Sequence, residues 1–68
     1  MKRIYNRGGV FYVLGTRIMV DPVYNRFMKG ESIITLARWF RCHSDTIEAA
    51  IRFRSAKTNE EAMEMVER

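Results

Sequence analysis

The sequence predicts an α+β fold that is mainly α: an N-terminal β-hairpin, a three-helix helix-turn-helix core and a short C-terminal helix. Three observations lead there. Two runs rich in β-branched and aromatic residues flank Leu14-Gly15-Thr16. Each later segment begins with a capping residue and repeats apolar side chains at helical spacing. The break between the second and third segments is only a few residues long, so those helices must pack as neighbours.

The hairpin is expected over residues 10 to 20, with Val10 to Val13 paired to residues 17 to 20 and Gly15 supplying the positive φ of the reversal. Residues 1 to 9 read as a basic arm, with Lys2, Arg3 and Arg7 ahead of a flexible Gly8-Gly9. An isolated hairpin is marginal in water and has to pack on the helices or on a second subunit.

The helical core is expected over residues 21 to 54. Asp21-Pro22 is a helix start, because the Asp side chain accepts from amides of the first turn and Pro has no amide to leave unpaired. Lys29-Gly30 is the stop, and Val23 and Phe27 face the core between them. Ser32 caps the second helix, whose stripe is Ile33, Leu36, Ala37 and Phe40. Ser44 is expected to cap the third, with Ile47, Ala50, Ile51 and Phe53 inward. Thr58 and Glu61 have the spacing of a reciprocal capping box and predict a fourth helix over residues 58 to 67, with Ala62, Met63 and Val66 as its apolar face.

With 68 residues the chain is one domain, residues 1 to 68, with a small core. Cys42 is the only cysteine, which excludes an internal disulfide, and Cys42 with His43 falls short of the four ligands of a structural zinc site. Neither metal nor cofactor is expected, and self-association becomes the natural stabiliser. No apolar run approaches the roughly 20 residues that span a bilayer, so no membrane partner is expected and the location expected is cytoplasmic.

Charge is unevenly spread. Residues 1 to 57 hold eleven Lys or Arg against Asp21, Glu31, Asp45 and Glu48, while residues 58 to 68 hold four Glu against Arg68. A basic body attracts polyanions. Two short helices joined by a tight turn, with Ala37 small at the close approach and Ile47 and Ala50 filling the angle, have the architecture that places a helix in the DNA major groove. The arrangement is also what any three-helix bundle requires, and the basic charge favours the DNA-reading form. The third helix would then offer Ser44, Asp45, Glu48 and Arg52 to bases or phosphates, with His43 at its start and Arg54 further along. Arg38 and Arg41 flank the turn, and Lys2, Arg3, Arg7 and Arg17 supply charge from the arm and hairpin. Six phosphate contacts would give log affinity against log salt a slope of roughly −5. Asp45 and Glu48 fit poorly beside phosphate; a carboxylate serves a base only by accepting from the cytosine amino group.

Other residues are expected to be structural. Trp39 lies off the apolar stripe and reads as an edge of the core, Cys42 as a small buried hydrophobe, and Met63 and Met65 as packing. His43, Ser44 and Asp45 are the residue types of a hydrolytic triad, but consecutive side chains at a helix start diverge, so no enzyme is expected.

Gly9, Gly15-Thr16-Arg17-Ile18-x-Val20, Gly30-x-Ser32, Leu36-Ala37 and Ile47-x-Ala49-Ala50-Ile51-x-Phe53 together resemble the bacterial domain-of-unknown-function family four-three-three, antitoxin-like helix-turn-helix domains related to those paired with ribonuclease toxins. The match covers residues 8 to 54. Phe11 and Met19 stand where that family usually has proline, and Arg41 stands where helix-turn-helix repressors usually place Gly in the turn. The resemblance implies a winged-helix-like fold, dimers, and either DNA binding or toxin neutralisation.

The expectation is therefore a sequence-specific DNA-binding transcriptional regulator or repressor, acting as a homodimer on double-stranded DNA with half-sites roughly 34 Å apart. The alternative is a protein-binding module, an antitoxin or an inhibitor of a host enzyme, that docks through the hairpin or the acidic tail. Reversing Arg52 and Arg54 should separate the first from the second, and deleting residues 58 to 68 should do the opposite. A chain of this size suits a phage or mobile element.

Overall fold

The computed structural model describes residues 2 to 67. Their order is β1 (Ile4–Arg7), β2 (Val10–Val13), α1 (Val20–Met28), α2 (Ile33–Phe40), α3 (Ser44–Arg54), α4 (Asn59–Glu64) and β3 (Val66–Glu67). The α+β, mainly α class is as expected, and four helices occupy the expected segments, with different caps at α1 and α3 and a shorter α4. The sheet differs.

The hairpin pairs β1 with β2, not Val10–Val13 with residues 17 to 20. Gly8 and Gly9, with φ of 61° and 88°, form its two-residue reversal, and Asn6 Oδ1 accepts from the Gly9 amide at 2.9 Å. The residues read as a basic arm are thus the first strand. The expected pairing survives only as one bridge, Tyr12 to Met19, beside a Val13 N–H to Ile18 carbonyl bond of 3.0 Å. Val20 is drawn fully into the core and begins a helix there, which ends the strand.

A third strand, missed in the sequence, completes the sheet. β3 runs parallel to β1, pairing Val66 with Ile4, so the order is β2-β1-β3. The row Val13–Ile4–Val66 crosses all three strands on the buried face. On the other face Tyr5 and Tyr12 stack with centroids 5.2 Å apart. Residues 65 to 67 leave the expected fourth helix because Val66 is more stable in this row than on a solvated helix of one or two turns.

The inner row meets Val20 and Val23 of α1, Leu36 of α2 and Ile47, Ala50 and Phe53 of α3, all buried. α3 is the central element, burying Thr46, Ile47, Ala49, Ala50 and Phe53 and packing against both other core helices and the sheet. Among the described residues no buried side-chain nitrogen or oxygen lacks a partner.

Two of the caps expected are replaced. α1 starts one residue before Asp21, with Met19 at the cap and no side-chain bond to it. Asp21 instead lies in the first turn and pairs with Arg54 Nε at 2.6 Å. At α3 the cap is His43, whose Nδ1 accepts from the Asp45 amide at 3.4 Å, and Ser44 is already helical. Ser32 and Thr58 do cap α2 and α4, each at 3.1 Å. Glu61 returns to the Lys57 amide, one residue before the Thr58 amide that a reciprocal box would use.

Candidate nucleic-acid interface

The interface is built on how α2 ends. Its last turn closes with the Cys42 amide donating to the Ala37 carbonyl at 2.9 Å and the Arg41 amide to Arg38 at 3.2 Å. This double closure requires a left-handed residue between them, and Arg41 takes it with φ 55° and ψ 51°. A side chain with a Cβ is strained there by roughly 1 kcal/mol. Arg41 is the only non-glycine residue with positive φ among those described.

The chain then runs through Cys42 and His43 into α3, a three-residue turn between Phe40 and Ser44. Ile47 and Ala50 are fully buried, and Ala37 packs half-buried on the same cluster, so the three residues expected to lock the two helices meet. On the outside of the turn, Ile34, Ala37 and Cys42 floor a shallow depression rimmed by Arg38, Arg41, His43 and Ser44. Its lining contains no acid. Cys42 is half-buried there, and burial pushes its thiol up.

A second depression lies along the outward face of α3. Asp45, Glu48 and Arg52 line it on one side with Ala49 beneath, and Arg3 and Met65 bound it opposite. Arg3 reaches α3 directly, its Nη2 donating to the Asp45 carbonyl at 3.5 Å. The Asp45 carboxylate is 3.7 Å from His43 Nδ1. Arg3 and Met65 were not expected beside this helix. β1 and β3 bring them there, and their pairing spans almost the whole chain.

The other expected contact residues scatter. Arg54 points away from the α3 face: besides its bond to Asp21, its guanidinium sits 5.5 Å from the Phe11 ring and 5.4 Å from Phe53. Lys2 Nζ donates to the Val66 carbonyl at 3.3 Å, and Arg7 is exposed at the far end of β1. Arg17 is exposed in the segment between β2 and α1. The structure thus gathers Arg38, Arg41, His43 and Ser44 around the turn and Arg3, Asp45, Glu48 and Arg52 along α3, leaving Lys2, Arg7, Arg17 and Arg54 outside both groups.

Trp39 is not an edge of the core. It is 63% exposed, with the Arg26 guanidinium 4.1 Å above its ring and the Phe40 ring packed at its edge. Arg26 in turn grips Glu31 with two bonds, of 2.7 and 2.6 Å. That bidentate contact holds the Glu31 carboxyl below the usual carboxylate range and raises Arg26.

No helix among the described residues is long and apolar enough to cross a membrane. No family model, curated protein or solved structure matches the chain. The resemblance described above rests on its quoted residues alone.

Proposed function

We propose that the chain is a sequence-specific DNA-binding regulator that lays α3 into the major groove and clamps the phosphates on either side. The observation that supports this best is the α2–α3 turn, with its depression rimmed by Arg38, Arg41 and His43 and lined by no acid. Of the four acids in the basic body, Asp21 and Glu31 are already held by Arg54 and Arg26. The cations of the turn form no ion pair with a carboxylate among the described residues, apart from His43 near Asp45. Charge left unpaired around this turn suits a polyanion.

The reading takes the chain as a homodimer. The longest dimension of one copy is 29 Å, and half-sites one helical turn apart lie roughly 34 Å from each other. One copy serves one half-site, and a two-fold pair reads a palindrome.

The test is a titration of random-sequence duplex by fluorescence anisotropy at several salt concentrations. Log affinity should fall against log salt with a slope of roughly −5. Absence of binding, or a flat response, removes the DNA reading.

The acidic exposed face of α4, with Glu60, Glu61 and Glu64, favours a second reading, a module that docks on a basic protein. Deleting residues 58 to 68 would not test it, because that also strips Val66 from the core. Reversing Glu60 and Glu64, which are both exposed and in no ion pair among the described residues, should disturb the core less and is the better separation. On the DNA side Arg41 and Arg52 replace the pair Arg52 and Arg54, since Arg54 is engaged with Asp21.

A further inference from the structure

We infer that Glu48 is the residue by which α3 selects cytosine, with Arg52 one turn further along reading guanine. This rests on the DNA-binding reading above and specifies what the outward face of α3 recognises.

Glu48 and Arg52 are both exposed, while Ile47, Ala49, Ala50 and Phe53 around them are buried. The packing of α3 therefore fixes which way both side chains project. A Glu followed four residues later by Arg is the spacing of an intrahelical ion pair. No such pair forms, and Glu48 makes no ion pair with any of the described residues. Asp45 differs in place, since it lies in the first turn of α3, where the helix dipole favours a carboxylate, and its carbonyl accepts from Arg3.

An unpaired carboxylate on the surface that approaches DNA is repelled by every phosphate, so it is tolerable only over base edges. There it can only accept. The major groove offers two exocyclic donors, the amino groups of adenine and cytosine. In adenine that donor stands beside the N7 acceptor, whose lone pair opposes a carboxylate. The adenine amino group has a second acceptor, thymine O4, on its other side, whereas the cytosine amino group has an acceptor, guanine O6, on one side only and the C5–H edge on the other, and so cytosine is the base Glu48 discriminates. Arg52 presents the donor fork that matches guanine O6 and N7. Four residues rise about 6 Å along a helix, close to two base-pair steps of roughly 3.4 Å. The two bases read are therefore about two pairs apart.

The experiment is selection of bound duplexes from a random pool by the full chain, followed by sequencing, for the wild type, Glu48→Ala, Glu48→Gln and Arg52→Ala, each checked by thermal melting. The wild type should prefer cytosine at one position by roughly 5- to 150-fold. Glu48→Ala should flatten that position while binding non-matching DNA more tightly, because a phosphate-repelling charge is gone. Glu48→Gln should move the preference to adenine, which an amide pairs with two bonds. Arg52→Ala should erase a guanine preference about two pairs away. A cytosine preference that survives Glu48→Ala, or one unchanged by Glu48→Gln, overturns the assignment while salt-dependent binding still supports the DNA reading. A wild-type chain that retains no duplex overturns both.

Discussion

The ends of α1 and α2 are closed by the same backbone device and put to different use. At α1 the Gly30 amide donates to Phe27 at 3.0 Å and the Glu31 amide to Arg26 at 3.3 Å, around Gly30 at φ 105°. At α2 the Cys42 and Arg41 amides make the equivalent pair of bonds around Arg41 at φ 55°. The first end uses glycine, and its Arg26 is clamped on Glu31 and stacked over Trp39, leaving Lys29 as its one cation outside an ion pair among the described residues. The second accepts backbone strain and places an arginine where glycine would be easier. One end pairs its arginine internally, and the other leaves Arg38 and Arg41 in no ion pair among the described residues, which is what the proposed DNA contact would use. A residue kept against its conformational preference is a better sign of function than its charge alone.

The comparison breaks most decisively at the second end. Reversing both Arg38 and Arg41 to Glu should lower duplex affinity by on the order of 100-fold at low salt while leaving the melting curve nearly unchanged. An equal loss from reversing Lys29 and Arg26 at the first end would show that the two ends do not differ in role.

Gly30→Ala probes the first end. A Cβ there would meet nothing within 4 Å, so the loss comes from φ alone. Urea unfolding should show a destabilisation of about 1 to 2 kcal/mol, with DNA affinity per folded molecule unchanged. Arg41→Gly is the mirror experiment. It should stabilise by up to about 1 kcal/mol, after the greater freedom of glycine in the unfolded chain offsets part of the relieved strain. It should also reduce the salt slope of DNA binding by about 1. Stability lost rather than gained would mean that Arg41 serves the fold.

The smallest effect is a pH dependence. Folding holds the Glu31 carboxyl below its unfolded value, chiefly through its hydrogen bonds to Arg26. That contribution is fully present above the ordinary carboxylate range, near pH 4.3, and is lost as pH falls through the lower folded value. Melting temperatures from about pH 6 to about pH 3 should therefore decline less steeply in Glu31→Gln than in the wild type.

Most signals confined to one helical turn were conveyed by the sequence, Ser44 being one residue out. Ser32, Thr58 and Gly30 mark helix ends whose bonding partners lie within a few residues, and all three do what their local chemistry implies. Asp21 shows the limit. Its capping chemistry is sound, but an arginine 33 residues away claims the carboxylate. The sheet was misread for a related reason. Val10–Val13 has two possible partners of similar composition, and Gly8-Gly9 and Leu14-Gly15-Thr16 are both plausible reversals. What selects β1 is burial of Ile4 between Val13 and Val66, a choice made by two strands at once. The candidate interface divides along the same line. Arg38, Arg41 and His43 were legible because they surround a turn the spacing reveals, whereas Arg3 and Met65 reach α3 only through the completed sheet.

Because β1 is the middle strand and one of its neighbours is β3, synthesis on the ribosome brings these partners together late. The hairpin and the three core helices can associate as soon as residue 54 has emerged. Ile4 and Arg3 must wait for Met65, whose carbonyl takes both their amides at 2.9 Å. A nascent chain stalled before that point exposes one side of its first strand to any other unfinished copy nearby. Closing that edge is thus the last step of the sheet, and it removes an unpaired strand of the kind that joins other chains.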